Sequence, residues 1–506
     1  MKKYLYYLLG MNILVLGITC NTLSERKGIM KKITTYLFSI MLLFSLAIIP
    51  VYASDGQNIN FDLHSIVYDD GEAIDSVVLK TSNLEIDDSK ITKDMFNVHA
   101  TGTTVYSSQL EKDFFGPNSQ SGLQHCGLYD EERKVESVEE KNGNIILHLV
   151  TDEETKGKNT LDFTANFTTL KGCNSLLNIK YTITLNGGLP LKDGSELSNI
   201  QFLQNEKIIN EEIDKFSAGE SNGLKYQFYT PNNANDGNKH PLIVWFHGGG
   251  ESGFRGLHYN NLSQLKANRG AVALASDEAQ NIFNGAYVLA PQTPHEWSEN
   301  IDDATKLINN IIKNNNIDSN RIYSYGCSAG GYMALDMVVH NPNLFAAVVS
   351  TCPAIDQQNI QTYGEGRIIT DEEIKSINIP TWVIQAKDDT TVKYEESALR
   401  VYTLLKDKGA ILTTYETGGH SSWIHTAKNE PENNGEHLWQ WTAQQSLNDE
   451  IKTPVENATK NEPVNKTSVV KTGDTNNVYL YVVTGIISMA VMAEYIHKKN
   501  KKSITK

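Results

Sequence analysis

The sequence predicts two folded parts, an all-β part followed by a mostly parallel α/β sheet with helices on both faces. Residues 56 to about 205 form short runs of alternating polar and apolar residues with almost no helical periodicity. From about residue 206 to 450, apolar strands alternate with helical patterns, which is typical of a parallel sheet with crossover helices. A chain of 506 residues suffices for roughly two to four domains, each with its own core.

The composition excludes several classes of protein. A net charge of −15 and a pI near 5.4 disfavour nucleic acid as a partner. Five cysteines in 506 residues exclude a disulfide-stapled scaffold, and none of them has the C-x-x-C spacing of a structural zinc site. No motif implies a metal ion or an organic cofactor, so we expect the site to need none.

The N-terminus carries targeting signals. Met30-Lys-Lys32 is a charged start, Tyr36 to Ile49 is apolar, and small residues precede a predicted cleavage after Ala53. We therefore interpret residues 30–53 as a signal peptide and residues 1–29 as an over-extended reading frame. The alternative is a true tandem of apolar segments whose first member is a membrane anchor. Both interpretations send the protein out of the cytoplasm.

The all-β part is predicted to be a sandwich. Asn142-Gly143 has the residues of a type I′ hairpin turn. A disulfide between Cys126 and Cys173 is plausible in an exported segment but open. No catalytic side chains gather here, so we interpret this part as a packing or substrate-presenting module. The clearest strand runs are Val77–Leu79, Phe96–Val98, Ile145–Leu149, Leu161–Phe167 and Asn178–Ile183.

The second part reads as strands and helices in alternation. The predicted elements are a hairpin around Asn222-Gly223, strands Pro241–Phe246, Ala286–Ala290, Ile322–Tyr325, Phe345–Ser350, Ile379–Gln385 and Ile411–Tyr415, and helices with apolar faces at Ala304–Ile312, from Gly330, from about Lys393 to Lys408 with Gly409 as cap, and near Gly435–Gln445.

A candidate nucleophile lies between the strand at Ile322–Tyr325 and the helix after it. Gly326-Cys-Ser-Ala-Gly330 fits G-x-S-x-G, the nucleophile elbow of an α/β-hydrolase fold. The serine, Ser328, would stand on a sharp, strained turn, and the glycines leave room for the flanking strand and helix. The N-terminus of that helix would face a developing negative charge at the serine. The pattern therefore predicts nucleophilic catalysis by Ser328.

A glycine-rich loop after the strand Pro241–Phe246 predicts an oxyanion-binding site. Pro241–Phe246 runs into His247-Gly-Gly-Gly250, at the end of a predicted parallel strand. A hydrolase must stabilise an oxyanion with fixed N–H donors, and glycines let the backbone approach the substrate. We predict one donor at Ala329, just after the nucleophile, and the other at Gly248 or Gly249.

The acid is expected on the loop Ala386-Lys-Asp-Asp-Thr-Thr-Val392, which follows a predicted strand. In this fold the order along the chain is serine, acid, histidine. The loop offers Asp388 and Asp389, and Asp389 fits better because Asp-x-x-Val, with the acid third after the alanine, is the usual shape of the loop.

The base is expected at His420, on the glycine-rich loop Thr417–Trp423 after the last predicted strand. Its rivals are His425 and His437, further along the chain. A serine nucleophile needs a base, and the base needs a carboxylate to orient it. Ser328, Asp389 and His420 therefore form the predicted catalytic triad.

Residues of about 220–450 resemble the esterase and predicted-peptidase branch of the α/β-hydrolases, near polyhydroxybutyrate-depolymerase-like and feruloyl-esterase-like enzymes. The matching motifs are Trp245–Glu251, Gly326–Gly331, Asp389–Val392 and Gly419–Trp423. Residues 60–185 resemble the immunoglobulin-like domain that precedes the catalytic domain in some of these esterases. The resemblance implies an α/β-hydrolase fold behind an immunoglobulin-like sandwich, but it fixes no substrate. Two departures, Cys327 in the elbow and Ala386 before the acid, remove no catalytic group.

The C-terminus changes composition again. Residues 448–477 are rich in Asn, Lys, Thr, Glu and Pro and read as a flexible linker. Val469-Val-Lys-Thr-Gly473, the apolar run Val478–Ile496 and the lysines of His497–Lys502 resemble a sortase sorting signal of the L-P-x-T-G type, with valines in place of Leu-Pro. A plain membrane anchor is the alternative. Either outcome places the protein at the cell surface.

These features predict an exported, surface-tethered serine carboxylesterase for a small-molecule or polymer-linked ester, with sortase as a possible processing partner. A serine peptidase acting on short peptides is the alternative, and a non-catalytic surface adhesin is the second. Phe254, Arg255, His258 and Tyr259, within 251–285, are expected in the pocket or a lid. The expected divisions are 1–29, 30–53 (signal peptide), 54–205 (sandwich), 206–450 (catalytic domain), 451–473 (linker) and 474–506 (anchor segment).

Overall fold

The computed structural model describes residues 57–116, 122–152, 154–166, 171–253, 259–294, 297–355 and 369–448. The described residues from Asn58 onward belong to a single compact unit. The predicted signal peptide, linker and sorting signal lie outside the described residues. Within those residues, no helix is both long enough and apolar enough to cross a lipid bilayer.

The first part of the unit contains two five-stranded sheets and a small two-stranded sheet, β10-β11. Its strands are β1 (Asn58–Tyr68), β2 (Gly71–Leu79), β3 (Phe96–Thr104), β4 (Leu123–His125), β5 (Tyr129–Arg133), β6 (Val135–Lys141), β7 (Asn144–Leu149), β8 (Leu161–Asn166), β9 (Lys171–Leu185), β10 (Leu189–Pro190), β11 (Glu196–Leu197) and β12 (Gln201–Ile209). One sheet has the order β12-β1-β2-β7-β6 and the other β4-β8-β9-β3-β5. Strand β12 pairs in parallel with β1, so this part of the chain extends to Ile209.

The two sheets share one hydrophobic core. Phe61 and Val77 of the first sheet and Val98 and Tyr181 of the second belong to the same buried cluster. The predicted all-β character is therefore confirmed, whereas the immunoglobulin-like arrangement stays a prediction. Asn142 and Gly143 both have positive φ, 54° and 77°, as a type I′ turn between β6 and β7 requires.

The β part also differs from expectation in two places. Cys126 and Cys173 are free thiols, so the disulfide left open by the sequence is not present. A helix, α1 (Ser108–Phe115), interrupts the strands; Ser107 caps it by accepting a hydrogen bond from Leu110 N–H. The helix is too short to give a clear 3.6-residue period, and it is held by burying Phe115 beside Tyr106.

The second part is built on an eight-stranded sheet with the order β13-β14-β16-β15-β17-β18-β19-β20. Its strands are β13 (Phe216–Ser221), β14 (Leu224–Tyr229), β15 (His240–Phe246), β16 (Tyr287–Gln292), β17 (Ile317–Cys327), β18 (Ala347–Thr351), β19 (Thr381–Ala386) and β20 (Ile411–Tyr415), followed by the small hairpin β21 (Glu432–Asn433) and β22 (Glu436–His437). The pairs β13–β14 and β14–β16 are antiparallel, and the other neighbours are parallel.

The helices of this part connect and flank the parallel strands. They are α2 (Ser263–Lys266), α3 (Gly270–Leu274), α4 (Asp277–Phe283), α5 (Ile301–Asn314), α6 (Ala329–His340), α7 (Asp371–Ser376), α8 (Ala398–Leu405), α9 (Trp423–Ala427) and α10 (Leu438–Ala443). Short 3₁₀ turns lie at Asp88–Lys90, Lys93–Met95, Lys156–Lys158, Ile213–Lys215, Gly249–Glu251, Trp297–Glu299 and Lys406–Lys408.

Strand β15 shows why the sheet is covered on both faces. All seven of its residues are buried. Leu242 and Val244 pack into one hydrophobic cluster, with α5 and α6, while Ile243 and Trp245 pack into a second cluster on the opposite face. A strand with two buried faces needs a continuous apolar sequence, so the parallel α/β sheet inferred from Pro241–Phe246 is confirmed.

Some strands and helices begin at residues other than those predicted, and local contacts explain the differences. Strand β17 begins at Ile317, before the predicted start at Ile322, because Ile317 is buried and pairs with His240. The helix expected from about Lys393 begins only at Ala398. The Gln385 side chain donates to Val392 O and accepts from Ala398 N–H, which holds the intervening residues in a turn at the end of β19. The short helices α2, α3 and α4 were missed because they are too short to show a periodic pattern.

The two parts pack directly against each other. The buried pair Lys266 Nζ–Glu72 Oε2 joins them at 2.5 Å, and the Arg269 guanidinium donates a hydrogen bond to Val67 O of β1. Near the end of β15, a Cβ added to Gly250 would lie 3.2 Å from Asn174 Nδ2 and 3.3 Å from a ring carbon of Phe163. The β part therefore reaches the loop that follows β15.

Candidate active site

Four strands of the central sheet end at the same edge, and each is followed by a residue group singled out in the sequence. The loop His247–Gly250 follows β15, Ser328 follows β17, Asp389 follows β19, and His420 follows β20. The neighbouring pairs β15–β17 and β19–β20 are parallel, so their carboxyl ends converge. Ligand and catalytic sites in open α/β sheets lie at this edge.

Ser328 stands on a strained turn between β17 and α6. Its φ is +55°, in the left-handed region that non-glycine residues rarely adopt. The glycines on either side are required by close backbone approach. A Cβ on Gly326 would lie 2.1 Å from Gly330 O, and one on Gly330 would lie 1.9 Å from Phe246 O. These contacts give the nucleophile-elbow geometry expected of G-x-S-x-G.

The structure brings Ser328, His420 and Asp389 into one hydrogen-bonded line. His420 Nε2 lies 2.9 Å from Ser328 Oγ, and His420 Nδ1 lies 2.8 Å from Asp389 Oδ2. The Trp423 ring packs edge-on against the imidazole, with ring centroids 5.4 Å apart. This arrangement fixes a tautomer in which Nδ1 donates to the carboxylate and Nε2 accepts from the serine hydroxyl.

Asp389 is buried and fully engaged. Its Oδ1 accepts from the N–H groups of Thr391 and Val392 at 2.9 Å each, and its Oδ2 accepts from Gln385 Nε2 at 3.1 Å. Burial alone would raise the pKa of Asp389, but the neighbouring His420 and the donated hydrogen bonds outweigh burial and hold the pKa below its usual value. Asp389 is therefore a carboxylate throughout the neutral pH range.

The other candidates for the acid and the base, Asp388, His425 and His437, make contacts outside the line of Ser328, His420 and Asp389. Asp388 Oδ1 accepts from Gly419 N–H at 2.7 Å rather than binding the imidazole. His425 pairs with Glu430 and stacks on Tyr415, with centroids 3.8 Å apart. His437 Nδ1 bonds to Asn429 O at 2.9 Å. The choice of Asp389 and His420 over these alternatives agrees with the geometry.

The side chain of His247 holds the loop after β15 through two hydrogen bonds. Its Nδ1 donates to Gly248 O at 2.6 Å, and its Nε2 accepts from Thr293 N–H at 3.2 Å. Burial lowers the pKa of His247 to about 4, so it is neutral in this role. Trp297 Nε1 donates to His247 O at 2.9 Å. The side chain of His247 thus fixes the loop, and both of its ring nitrogens are already hydrogen-bonded.

The two candidate glycines of this loop have different surroundings. A Cβ on Gly249 would lie 4.0 Å from Ala329 Cβ, which places Gly249 beside the first residue of α6. A Cβ on Gly248 would instead meet Glu251 Oε2 at 2.9 Å and Cys327 O at 3.7 Å. As the first helical residue, Ala329 has an N–H without an intrahelical partner. Gly249 and Ala329 therefore flank the same space.

Other residues near the site were not predicted. Phe163, 39 % exposed, and Asn174 come from the β part, and no local pattern marks either as a neighbour of Gly250. Glu251 was only part of a matching motif. Among the expected pocket residues, Tyr259 lies under Lys225, whose Nζ is 4.1 Å from the ring centroid. Phe254, Arg255 and His258 lie outside the described residues.

One group of three potential metal ligands occurs among the described residues, and it comprises Cys352, Asp389 and His420. Two of its members already bond to each other in the line that ends at Ser328. Burial, with the charge of Asp389, raises the pKa of the Cys352 thiol well above its usual value, and a thiol that keeps its proton is a poor metal ligand. This donor set is better suited to orienting an imidazole than to holding an ion.

Comparison with known proteins agrees with the architecture. Residues 295–449 match the prolyl oligopeptidase family, the family model described as Peptidase_S9. The crystal structure of a thermostable esterase is 26% identical, covers 76% of this chain and 99% of its own, and has a TM-score of 0.57. That coverage of this chain exceeds the α/β part alone.

Two further structures match with lower scores. Est1E from Butyrivibrio proteoclasticus is 16% identical, with 42% of this chain and 96% of its own covered and a TM-score of 0.33. An acylaminoacyl peptidase from Pyrococcus horikoshii is 20% identical, with 42% of this chain and 38% of its own covered and a TM-score of 0.30. At these TM-scores the two likenesses carry no inference about this chain.

The fold, the matched family model and the thermostable esterase together identify the class: the chain is a serine hydrolase with an α/β-hydrolase fold. Its family match covers the segment that contains Ser328, Asp389 and His420.

Proposed function

We propose that this protein is a carboxylesterase that works through an acyl-enzyme on Ser328, with His420 as general base and acid and Asp389 as the orienting carboxylate. The observation that carries the proposal is the hydrogen-bonded line from Asp389 through His420 to Ser328, at 2.8 Å and 2.9 Å. A serine hydroxyl is a weak nucleophile until an adjacent base removes its proton.

The reaction follows from this line. His420 Nε2 takes the Ser328 proton as Oγ attacks the ester carbonyl, and the imidazolium then protonates the departing alcohol. A water molecule, deprotonated by the same nitrogen, then attacks the acyl-enzyme; the acyl–Oγ bond breaks, the acid is released, and the imidazolium returns the proton to Ser328 Oγ. Asp389 stays ionised throughout, which stabilises the imidazolium and keeps its ring oriented.

The oxyanion of each tetrahedral intermediate is assigned to the N–H groups of Ala329 and Gly249. Ala329 is favoured by its place at the start of α6. Gly249 is favoured over Gly248 because it faces Ala329, whereas Gly248 faces Glu251 and Cys327. Loss of one such donor costs about 3 kcal/mol of barrier in comparable enzymes.

The substrate class is argued from the comparisons. The likeness to a thermostable esterase, which extends over 99% of that structure, supports an ester substrate. The match of residues 295–449 to the prolyl oligopeptidase family supports the second candidate, a serine peptidase acting on short peptides. The same triad serves both reactions, so kinetics must separate them.

The test is a panel of p-nitrophenyl esters and aminoacyl p-nitroanilides with the purified full-length protein. The carboxylesterase predicts kcat/KM values for esters at least a hundredfold above those for anilides. Ser328→Ala is the control and should abolish both signals. Higher kcat/KM for the anilides would establish the peptidase instead.

We propose further that the enzyme is exported and tethered at the cell surface. The support comes from sequence alone: the charged-then-apolar run ending at Ala53, and Val469–Gly473 followed by the apolar run Val478–Ile496. Sortase cleavage between Thr472 and Gly473 predicts a wall-bound product that detergent does not extract. A C-terminus that still carries Lys506 would exclude wall attachment, and secretion of the whole chain into the medium would exclude both forms of tether.

A further inference from the structure

Glu251 is a buried carboxyl group between the loop after β15 and the nucleophile elbow, and the triad does not use it. The point where a Gly248 Cβ would lie is 2.9 Å from Glu251 Oε2, 3.7 Å from Cys327 O and 3.8 Å from Cys327 Sγ. The backbone of Glu251 is anchored as well, because its carbonyl oxygen accepts from Ser263 Oγ and Gln292 Nε2, both at 2.8 Å. Its side chain therefore fills the space directly behind Gly248 of the proposed oxyanion loop.

The side chain of Glu251 has little to stabilise a negative charge. Its Oε2 is buried without a hydrogen-bond partner of good geometry, its Oε1 has a long contact of 3.5 Å with Asn268 Nδ2, and the N–H groups of Gly248 and Glu251 are the remaining donors near the carboxyl. Among the described residues, no lysine or arginine forms an ion pair with it. Burying a carboxylate without a cation has an unfavourable desolvation free energy, and the neutral acid does not incur it.

The groups that face Glu251 from neighbouring elements are few. Burial raises the pKa of Glu251 to about 7, although the N–H groups of Glu251 and Gly248, the Asn268 amide and the His420 charge pull it the other way. The Cys327 thiol faces it from the elbow, and burial followed by the Glu251 charge keeps the pKa of that thiol far above its usual value. His247, in the same loop, is neutral. His420 is thus the one group among these that brings a positive charge during the reaction.

We propose that Glu251 is a positioning residue that supports the oxyanion loop as a neutral carboxylic acid, and that its ionisation switches the site off. This inference rests on the proposed function of the loop. The neutral acid packs behind Gly248 and leaves the Gly249 and Ala329 N–H groups free to bind an oxyanion. The ionised form adds a fixed negative charge behind the place where a second negative charge develops in the transition state, which weakens that stabilisation.

The first experiment compares pH profiles of kcat/KM for a short-chain p-nitrophenyl ester in the full-length protein. The wild type should lose activity above pH 7, about tenfold per pH unit at the limit. Glu251→Gln, which cannot ionise, should lower kcat/KM no more than a few-fold at pH 6 and should lack the alkaline decline. Glu278→Gln, an exposed change on α4, should keep the wild-type profile. An alkaline decline of equal size in Glu251→Gln would overturn the proposal.

A second variant separates this positioning role from simple packing. Glu251→Ala, which leaves the space behind Gly248 empty, should lower kcat at least tenfold with little change in KM; a change confined to KM would contradict a positioning role.

Thermal midpoints test the neutral carboxyl without any substrate. The folded wild type keeps its proton up to about pH 7, whereas an unfolded glutamate releases it near 4.5, so wild-type stability must decline between these values. The midpoint of Glu251→Gln relative to wild type should therefore rise from pH 5 to pH 8. A difference that does not vary with pH would overturn the proposal. A rising difference without ester hydrolysis would support the neutral acid and reject the proposed substrate.

Discussion

Asp388 Oδ1 accepts a hydrogen bond from Gly419 N–H at 2.7 Å, one residue before the imidazole that Asp389 binds. Two adjacent aspartates on the loop after β19 therefore hold two adjacent residues on the loop after β20. Asp389 orients the His420 ring, and Asp388 holds the backbone that carries it. The register between the two loops follows from parallel pairing of β19 with β20.

Because the two aspartates have different partners, the same Asp→Asn substitution should lower kcat by different amounts at the two positions. Asp389→Asn should lower kcat by about four orders of magnitude, because the amide favours the wrong imidazole tautomer. Asp388→Asn keeps an oxygen acceptor for Gly419 N–H and should lower kcat no more than a few-fold. Steady-state kinetics on the two variants decide the assignment, and the reverse ranking would show that Asp388 is the orienting acid.

The elbow predicts a position where one methyl group is not tolerated. Gly330→Ala would push a Cβ to 1.9 Å from Phe246 O, so β15 and α6 must separate and Ser328 must shift. Activity should fall by about a hundredfold or more. Gly409→Ala is the matched control, since its Cβ meets nothing within 4 Å and only its φ of +83° is strained. That variant should lose about 1 kcal/mol of stability and keep its activity; equal losses of activity would contradict the steric account.

The buried pair Glu72–Lys266 predicts that the interface between the two parts contributes to the stability of the protein. Lys266 is 9 % exposed and Glu72 1 %, and removing one partner strands the other. Lys266→Met should therefore lower the free energy of unfolding by about 3 kcal/mol. Lys428→Met breaks an exposed pair with Asp69 across the same interface and should cost less than about 1 kcal/mol. Equal denaturation midpoints for the two variants would argue against a stabilising role for the buried pair.

Glu72 also makes the stability of the protein depend on pH. Burial alone would raise the pKa of Glu72, but the charge and hydrogen bond of Lys266, with those of Thr160 and Ser65, hold the pKa below its usual value. The stabilisation is thus complete above the unfolded pKa of 4.5 and is lost as the pH falls through the folded pKa. The midpoint difference between wild type and Glu72→Gln should shrink from pH 6 to pH 3. A difference that grows on acidification would contradict this sign.

Much of the fold and of the candidate site followed from local patterns. The run Pro241–Phe246 is apolar because β15 is buried on both faces, and Asn142-Gly143 adopts the positive φ angles of its turn. Ser328, Asp389 and His420 could be placed because each follows a strand in an order that the topology fixes. The geometry of the elbow depends on short-range sequence, so the sequence alone can predict it.

Contacts between distant segments could not be predicted in this way. Phe163 and Asn174 lie against Gly250 because the β part docks on the α/β part, and no spacing in the sequence encodes that contact. The role of Asp388 depends on Gly419, 31 residues away, and on the register between two loops. The burial of Glu251 likewise depends on how β9, α2 and the elbow close around one loop.

Covalent labelling tests the central assignment most directly. The wild-type protein should react with a fluorophosphonate at one site, and peptide mass spectrometry should locate the phosphonyl group on Ser328, since the serine held by His420 is the activated one. Ser328→Ala should fold with an unchanged thermal midpoint, take up no label and lose ester hydrolysis by several orders of magnitude. A label on any other residue, or a Ser328→Ala protein that keeps more than a few per cent of wild-type activity, would contradict the assignment of the nucleophile.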